Sequence, residues 1–374
     1  MRIKGSYIYL RPDWPNFNWD GAKILTKLSN VRHKQGLLAG KMESLGIQLK
    51  DEAFIETLSS DVLNTSEIEG EILDQRQVRS SVASKLGMDI GGVVKAEREV
   101  EGIVDIMIDA TQNHNKELSK ARLFDWHAAL FPTGRNSMYR IKVGDWRDDA
   151  KGPMRIVSGG MGKPRVHFQA PDAAIVDNEM SQFLSWVNGT DHDDLVLSAA
   201  IAHFWFITIH PFEDGNGRIG RAIADLMLCR SEDRPQRFYS MSAQIKTQKS
   251  DYYRELESSQ KGPLDITDWI LWFLTCLDKA IESSDETVKK TIAKHNFWDQ
   301  HKSVVFNQRQ LHTIKKLFGP FYGKLTTSKW AKINKCSGDT ALRDIQDLML
   351  KGVLVKGASG GRSTSYDLAA LSEI

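Results

Sequence analysis

Cysteine is scarce in this chain: the 374 residues include only Cys229, Cys276 and Cys336, which lie far apart. Their spacing fits neither a pair of metal ligands nor a disulfide framework. No apolar run reaches the roughly 20 residues that a membrane-spanning helix needs. The first residues, Met-Arg-Ile-Lys, also lack the apolar core of a secretion signal. We therefore expect a cytoplasmic protein without a membrane partner.

A large net charge is also lacking, because 50 Lys and Arg residues stand against 48 Asp and Glu residues. The distribution is less even, since residues 301–374 hold 12 basic against 5 acidic side chains. No internal repeat and no long low-complexity segment is visible. The hydrophobic content of 41% and charged content of 26% are ordinary for a globular protein. This length predicts two or three domains, with the basic excess at the C-terminal end.

One stretch concentrates the residues that carry chemistry. An apolar run from Leu195 to Ile209 predicts a helix buried on all sides. Pro211 should end that helix at His210 and leave the imidazole at a rim. Gly215 and Gly217 can adopt positive φ, so the backbone N–H groups between them can point inward and form an anion nest. Helical periodicity then resumes, which places the nest at a helix N-terminus that favours negative charge.

Charged side chains surround the predicted nest. Arg218 and Arg221 are three residues apart and share one face of the helix's first turn. Cations there oppose the helix dipole, which indicates a multiply charged ligand between them. Asp214 suits Mg²⁺ on phosphates, and His210, with an unperturbed pKa of about 6.5, can accept a hydroxyl proton. The set favours transfer of a phosphate-containing group from a nucleotide to a hydroxyl.

The same stretch resembles the signature of the Fic family, His-x-Phe-x-Asp/Glu-Gly-Asn-Gly-Arg-x-x-Arg, at every fixed position. The resemblance implies a Fic fold and transfer of AMP from ATP to a protein hydroxyl. The alternative is a helix–loop–helix corner with two surface arginines. The resemblance implies that His210 is the general base and Asp214 the Mg²⁺ ligand. It also implies that Gly215, Asn216 and Gly217 form the nest for the α- and β-phosphates, while Arg218 contacts the β-phosphate and Arg221 the γ-phosphate. Phe212 would anchor the loop in the core.

A second motif lies far upstream. Ser66 with Glu69 fits a capping box and Gly70 suits a helix end, so a helix terminus is one interpretation. Thr65-x-x-x-Glu69-Gly70 also resembles the Fic inhibitory motif, Ser/Thr-x-x-x-Glu-Gly/Asn. This resemblance implies that Glu69 pairs with Arg221 and withholds it from the γ-phosphate. Its upstream position implies the Fic subclass with an N-terminal inhibitory helix.

Residues 154–168 alternate between apolar and polar side chains around a glycine-rich turn at 158–162, which predicts a β-hairpin. The hairpin resembles the Fic flap, which holds the target segment by main-chain pairing. Ile156 and Val157 would then be edge positions that dock the target. A purely structural hairpin is the alternative.

Three further side chains need an interpretation. Tyr252 resembles the aromatic residue that lines the adenine pocket in some Fic relatives, with ordinary packing as the alternative. His203 lies seven residues before His210, but no third ligand accompanies them, so we expect a core histidine rather than a metal ligand. His127 is expected to be a surface or packing histidine.

The basic end has its own pattern. Helices are predicted at Asn307–Phe318, Thr326–Ile333 and Thr340–Lys351, followed by a hairpin around a glycine-rich loop at 357–362. This order resembles a winged helix, whose third helix enters the DNA major groove. Asp344 and Asp347 on that third helix argue against DNA binding. A docking or dimer module is the alternative.

The sequence therefore predicts a mainly α protein with a helical Fic-fold core, a β-hairpin flap, an N-terminal helical region and a C-terminal winged helix. The expected domains span residues 1–92, 93–290 and 291–374. The expected function is self-inhibited protein adenylylation, using ATP and Mg²⁺ on a Ser, Thr or Tyr hydroxyl of a target or of the chain itself. Removal of AMP, another nucleotide donor, and a DNA-binding regulator with an ATP-sensing core are the alternatives. The target and a homodimer stay open.

Overall fold

A computed structural model describes residues 7–88, 94–136, 139–158, 165–318, 321, 323–357 and 364–369. The chain is mainly helical, as predicted. It divides into two compact units, Met1–Ser284 and Asp285–Ile374, each of which is described by itself. The first unit holds the predicted N-terminal helical region and nearly all of the predicted Fic core.

In the first unit, a short 3₁₀ helix at Ile8–Leu10 precedes the first α-helix. The helices are α1 (Gly21–Glu43), α2 (Ile47–Ile68), α3 (Gln75–Lys85), α4 (Arg98–Gln112), α5 (Lys120–Leu130), α6 (Ala173–Val187), α7 (Leu195–Ile209), α8 (Asn216–Glu232), α9 (Met241–Thr247) and α10 (Lys249–Gln260). Two antiparallel hairpins pair β1 (Arg135–Asn136) with β2 (Tyr139–Arg140) and β3 (Arg155–Ser158) with β4 (Arg165–Gln169). Helix α11 (Thr267–Gln300) begins in this unit and continues into the second.

Helix α7 forms the centre of the first unit. Every residue from Val196 to Ile209 is buried, which confirms the helix predicted from the apolar run. Asp194 caps its N-terminus by accepting from the N–H groups of Val196 and Leu197. Its main partner is α8, which follows after a short corner, while α6 packs on another side. The corner is thus anchored by two of the most deeply buried helices in the fold.

The N-terminal helical region wraps this centre. Helix α2 packs against α9 and α3, and it also contacts α8. Asp61 of α2 is 1% exposed and lies 3.5 Å from the guanidinium of Arg237, which also pairs with Asp225 of α8 at 2.5 Å. A buried cation between two buried carboxylates fixes α2 against α8. The C-terminal end of α2 is thereby directed at the corner after α7.

The aromatic segment before α1 packs on the core. Phe17 contacts the rings of Phe204 and Trp205 on α7 edge-on. Tyr7 contacts Phe168 of β4 in the same way, with ring centroids 5.2 Å apart. The arm therefore supports both α7 and the β3–β4 hairpin.

The second unit contains α12 (Gln308–Leu317), α13 (Thr327–Asn334) and α14 (Gly338–Leu350), followed by β5 (Leu354–Lys356) paired antiparallel with β6 (Tyr366–Leu368). Trp330, Ile345 and Leu348 are fully buried in its core. The order of helices and strands is as predicted, while the assignment as a winged helix stays a prediction. The loop tip, residues 358–362, lies outside the described residues, as do Gly91, Gly92 and the flap turn after Ser158.

Asp344 and Asp347 lie on the third helix of the second unit, as predicted, and both are paired within that unit. Asp344 is 5% exposed and accepts hydrogen bonds from Arg309 and Asn307 of the adjacent segment. Asp347 accepts from Gln310 and from Lys351. Both carboxylates are therefore neutralised by pairing within the unit, and they give no argument against DNA binding. Binding of DNA itself stays a prediction.

None of the helices that the structure describes combines the length and the apolar character that a membrane span requires.

The close approach of α4 and α5 gives a stability prediction. A Cβ atom on Gly102 of α4 would lie 1.9 Å from the backbone oxygen of Ala129 on α5. We expect Gly102→Ala to reduce the free energy of unfolding by about 1–3 kcal/mol, because backbone must move to relieve the clash. The matched control is Gly36→Ala on the exposed side of α1, where a Cβ meets nothing within 4 Å. It should raise stability by up to about 1 kcal/mol. Thermal unfolding of both variants measures the two shifts; equal midpoints would contradict the prediction.

Candidate active site

A cavity of about 940 Å³ opens at the corner between α7 and α8, below the β3–β4 hairpin and beside α10. It collects most of the residues that the sequence analysis singled out. Those lining it are Glu69, Ile156, Val157, His210, Asp214, Gly215, Asn216, Gly217 and Tyr252. The cavity therefore brings together side chains from segments more than 180 residues apart.

His210 ends α7 at the cavity wall and is half-buried, in agreement with the rim position that Pro211 predicts. Its Nδ1 lies 3.2 Å from the carbonyl oxygen of Ile207. Since a carbonyl only accepts, Nδ1 carries the hydrogen and the lone pair is on Nε2. Burial, with the nearby charge of Arg147, lowers the pKa of His210 to about 4, although Asp214 and Glu69 oppose that shift. The imidazole is therefore neutral at cellular pH and able to accept a proton.

The loop after His210 is held from inside. Phe212 is fully buried and stacks on the imidazole of His127, with ring centroids 4.1 Å apart. The Asn216 side chain accepts from the Phe212 N–H at 3.0 Å and donates to the Phe212 carbonyl at 2.8 Å. A single amide thus closes the loop on itself. The core anchor expected of Phe212 is confirmed, and the loop keeps its shape through protein contacts alone.

Gly215 and Gly217 each require glycine for a different physical reason. Gly215 has φ of 79°, the left-handed region that side chains disfavour. Gly217 leaves room for a neighbour, because a Cβ there would lie 2.1 Å from Oε1 of Glu69. Helix α8 starts at Asn216, so the N–H groups of its first turn have no acceptor within the helix. An anion at this point would meet both those donors and the positive end of the helix dipole.

Asp214 presents a carboxylate to the same cavity. One oxygen accepts from the N–H of Gly215 at 2.5 Å, and the other accepts from the side-chain amide of Asn136. No cluster of three metal-binding side chains occurs among the residues that the structure describes. Mg²⁺ commonly takes one or two carboxylates and completes its shell with substrate phosphates and water. A single carboxylate beside a phosphate cradle therefore fits Mg²⁺ that arrives with a nucleotide.

The two arginines of α8 are buried and already engaged. Arg221, 2% exposed, donates from Nη2 to Oε1 of Glu69 at 2.7 Å and from Nε to the hydroxyl of Thr65 at 2.7 Å. Arg218, 4% exposed, donates from Nη1 to Oε2 of Glu71 at 2.6 Å. The structure thus brings Glu69 and Thr65 to Arg221, as the inhibitory motif implies. It adds a second carboxylate, Glu71, which the sequence analysis did not single out.

Each arginine also keeps an unsatisfied donor. Nε of Arg218 and Nη1 of Arg221 are buried and have no hydrogen-bond partner among the described residues. A buried donor without an acceptor costs roughly 1–3 kcal/mol. Phosphate oxygens are strong acceptors for guanidinium donors. The pair of unsatisfied groups therefore supports an anionic ligand between these arginines and the loop.

Glu69 sits at the C-terminal end of α2, where the chain turns through Gly70 at φ of 89°. The helix end predicted there is confirmed, although Ser66 lies in the last turn of α2 and is not an N-cap. Burial acts against charge on Glu69, but Arg221 outweighs it and holds the pKa of that carboxyl below its usual value. Burial raises the pKa of Glu71, and repulsion from Asp214 and Glu69 raises it further. Attraction to Arg218 opposes these effects but does not outweigh them. Glu69 is thus the more firmly charged partner.

Tyr252 lies at the cavity floor and is 2% exposed. Its hydroxyl donates to Nε2 of His203 at 2.9 Å, and Nδ1 of His203 donates to the carbonyl of Gly220 at 3.0 Å. His203 is therefore a satisfied core histidine, as expected. The neighbouring Tyr253 also lines the cavity and is 41% exposed, so it presents more ring surface to a ligand than Tyr252 does.

The β3–β4 hairpin covers the cavity, in the position that the flap interpretation requires. Ile156 pairs with Phe168 and Val157 with Val166, on either side of an irregularity in the register. Ile156 packs against the cluster around Phe168, whereas Val157 is 53% exposed. Both line the cavity. A target segment that pairs with β3 would therefore lie against Val157 rather than against Ile156.

Three residues that shape the site, His127, Asn136 and Arg147, were not predicted as site residues from the sequence. His127, expected only to pack, accepts from the N–H of Gly144 at 3.1 Å and donates to the carbonyl of Asp214 at 3.2 Å. Asn136 holds the carboxylate of Asp214. Arg147 donates from Nε to the carbonyl of His210 at 2.8 Å. The contacts to Asp214 and His210 join residues 63–87 positions apart, and no local pattern signals them.

Two family models match parts of the chain. Residues 117–228 match the model of the Fic/DOC family. Residues 7–88 match a second model, described as a domain of unknown function, DUF4172. The Fic/DOC match contains both the His210 loop and the β3–β4 hairpin, and the second match contains α1, α2 and the inhibitory stretch.

Curated relatives carry the name "Protein adenylyltransferase Fic". The one from Drosophila ananassae is 25% identical over 262 residues, which are 68% of this chain and 47% of that protein. The one from Drosophila virilis is 26% identical over 219 residues, or 58% of this chain and 40% of that protein. The chain thus spans about half the length of these relatives.

Solved structures give the fold. A Fic family protein from Desulfovibrio desulfuricans G20 superposes with a TM-score of 0.54 at 19% identity, covering 95% of this chain and 98% of that one. A Fic domain containing signaling protein from Bacteroides thetaiotaomicron VPI-5482 gives 0.52 at 20% identity, over 70% and 95%. These neighbours confirm the predicted Fic fold.

The burial of His203 predicts a pH effect on stability. Burial, aided by the charge of Arg221, lowers its pKa to about 3. The unfolded imidazole binds a proton below about pH 6.5 while the folded one does not, so acid favours unfolding. At pH 5 the penalty is about 2 kcal/mol, and it nearly vanishes at pH 7. The free energy of unfolding of the parent minus that of His203→Gln should therefore decrease by about 2 kcal/mol from pH 7 to pH 5, because only the parent has the buried imidazole.

Urea unfolding at both pH values measures this difference. The exposed His33→Gln is the control, whose difference from the parent should stay constant; an unchanged difference for His203→Gln would contradict the prediction.

Proposed function

We propose that this protein is a self-inhibited adenylyltransferase, which moves AMP from ATP to the hydroxyl of a Ser, Thr or Tyr on a protein. The names of the Drosophila relatives and the Fic/DOC match support the reaction class. The observation that carries the proposal is that His210, Asp214 and the first residues of α8 line one cavity at a helix N-terminus. The two arginines of the same helix turn, Arg218 and Arg221, are buried and bonded to Glu71 and Glu69.

The geometry supports a direct displacement. The target hydroxyl would attack the α-phosphorus of ATP while its proton passes to Nε2 of His210. The new P–O bond forms as the bond from the α-phosphorus to the bridging oxygen breaks, and pyrophosphate leaves. The α8 N-terminus and Arg218 and Arg221 would stabilise the charge that moves onto the leaving group. A neutral imidazole, with the lone pair on Nε2, is the form of His210 that this step needs.

Asp214 is the residue that would hold Mg²⁺, which neutralises phosphate charge when it is bound. Asn136 and the N–H of Gly215 orient the Asp214 carboxylate. His127 fixes the backbone of the same residue. These contacts place the carboxylate before any ligand enters.

The acceptor hydroxyl would enter beneath β3. Strand β3 pairs with β4 only, in a two-stranded sheet, so its other edge is free of strand partners among the described residues. An extended target segment can add to such an edge by main-chain hydrogen bonds. The exposed Val157 would supply side-chain contact there. This mode selects an extended segment and leaves the target sequence loosely specified.

Self-inhibition follows from the ion pairs at the end of α2. Glu69 occupies the guanidinium of Arg221, which the family resemblance makes the γ-phosphate contact, and its Oε1 lies against Gly217 of the expected phosphate nest. Lys249 of α10 donates to the carbonyl of Ile68, and Lys246 pairs with Glu67 at 2.6 Å. The end of α2 is therefore fastened in the inhibitory position by the helices next to the cavity.

Substitution of Glu69 tests the proposal. ATP labelled at the α-phosphate should label the parent protein weakly and Glu69→Gly at least about 10-fold faster, because Arg221 and the space above Gly217 become available. Adding His210→Ala should cut that rate by about 10²–10⁴, the usual contribution of a general base. Autoradiography and intact-mass spectrometry report the added AMP.

The matched control is Glu56→Gly, which removes an exposed carboxylate from the same helix that pairs with Arg79 of α3 and not with an arginine of α8. It should label at the rate of the parent. The proposed function is wrong if Glu69→Gly transfers no AMP to any protein, and the base assignment is wrong if His210→Ala leaves the rate unchanged.

Glu71 makes a separate prediction. Its pair with Arg218 is partly exposed, with 43% of the Glu71 side chain accessible, so its worth is roughly 0.5–1 kcal/mol. Glu71→Gln in the Glu69→Gly background should therefore tighten ATP binding by about 2–5-fold, because Arg218 no longer has to leave a carboxylate. Isothermal titration with ATP and Mg²⁺ measures the change. Weaker binding in the double variant would mean that Glu71 supports the site rather than competing with the nucleotide.

A further inference from the structure

The backbone of His210 is in an unfavourable conformation. With φ of 52° and ψ of 60°, it is left-handed, a region that a non-glycine residue occupies at a cost of roughly 1–3 kcal/mol. The next residue, Pro211, has no N–H to donate. The peptide groups of this corner therefore depend on donors from outside α7 and α8.

Arg147 supplies those donors. Its backbone N–H donates to the carbonyl of Pro211 at 2.9 Å, and its Nε donates to the carbonyl of His210 at 2.8 Å. The side chain is completely buried. It does not line the cavity, and unlike Arg218 and Arg221 it has no side-chain donor without a partner that a nucleotide could take. One residue thus holds both carbonyls of the strained corner.

The same guanidinium reaches the base of the flap. Its Nη2 donates to the carbonyl of Pro171 at 2.5 Å, two residues after β4 ends. Ala170 lies between the end of β4 and Pro171, and its N–H donates to the carbonyl of Met154 at 3.0 Å. This bond joins the two chain segments at the open end of the hairpin. Arg147 therefore lies between the flap base and the peptide of His210.

Asp149 completes the arrangement. Its Oδ1 lies 3.2 Å from Nη1 of Arg147, and its Oδ2 accepts from the N–H of Ala173 at 2.7 Å, at the start of α6. The carboxylate both balances the buried charge and fixes the plane of the guanidinium against a helix. Lysine could keep the charge but not three directed bonds from one planar group.

From these contacts we propose that Arg147 is a positioning residue, which fixes the distance between His210 and the flap that presents the target hydroxyl. The inference rests on the proposed function in so far as it treats His210 as the base and the flap as the site of the acceptor hydroxyl. The contacts of Arg147 with the His210 corner and the flap base do not depend on that function. Displacement of reacting groups by about 1 Å can cost about 10² in rate. A single guanidinium that sets this distance would therefore act on the transfer step and not on nucleotide binding.

Arg147→Lys in the Glu69→Gly background tests this. The rate of AMP transfer at saturating ATP should fall by about 10², while the dissociation constant for ATP stays within about threefold. Hydrogen–deuterium exchange without ATP should rise by at least about 10-fold in peptides covering residues 165–172 and 209–213 together. A residue with only a general structural role would instead raise exchange throughout the unit and weaken ATP binding to a similar extent.

The control is Arg122→Lys. Arg122 likewise holds a carboxylate, Asp109, and several backbone carbonyls, but at the end of α4 and away from the cavity. It should lower the unfolding midpoint and leave both the transfer rate and the exchange of the two segments unchanged.

If Arg147→Lys does not fold, Asp149→Asn serves as the second test, since it leaves the arginine in place and removes the carboxylate that orients it. It should give the same pattern at a smaller size, about 10-fold in rate. Unchanged exchange in both segments, or a loss of ATP affinity that matches the loss of rate, overturns the inference. The exchange result needs no turnover, so it stands or falls separately from AMP transfer.

Discussion

The ion pair between Arg221 and Glu69 is the interaction on which the site depends. A guanidinium that is 2% exposed has left water and requires an anionic partner nearby. The end of α2 supplies that partner in the resting protein, and the phosphates of a nucleotide would supply it in the active one. Under the proposed function, helix α2 and the nucleotide would therefore compete for one buried cation. Because Asp61 and Arg237 fasten α2 to α8, the competition takes place at a fixed geometry.

The remaining parts of the site are arranged around a corner between two helices. The apolar surface of α7 and α8 keeps the corner buried on the inside, while its polar groups face the cavity. His210 stays neutral because it is desolvated, and Arg221 stays charged because Glu69 faces it. One environment thus produces a proton acceptor and an anion cradle within a few residues of each other. Each group is in the protonation state that group transfer to a hydroxyl needs.

Local sequence predicted the parts of this arrangement that local physics controls. The end of α7 follows from an apolar run and Pro211, and the turn into α8 follows from Gly215, which has a positive φ. Gly217 lies within α8 and does not use the positive φ that the sequence allowed. Long-range contacts were not predictable, because Arg147 and His127 act on backbone carbonyls, which leave no mark in the sequence. Strands β1 and β2, of two residues each, are too short for an alternation pattern.

The side-chain amide of Asn216, which bonds both the N–H and the carbonyl of Phe212, has a thermodynamic consequence. The loop is already ordered by the chain itself, so a ligand entering it loses little affinity to the freezing of backbone torsions. Only carboxylate side chains have to move aside. The nucleotide concentration needed to fill the site would then depend on how strongly Glu69 and Glu71 bind Arg221 and Arg218. Single substitutions that change these charges would therefore alter nucleotide binding without changing the loop.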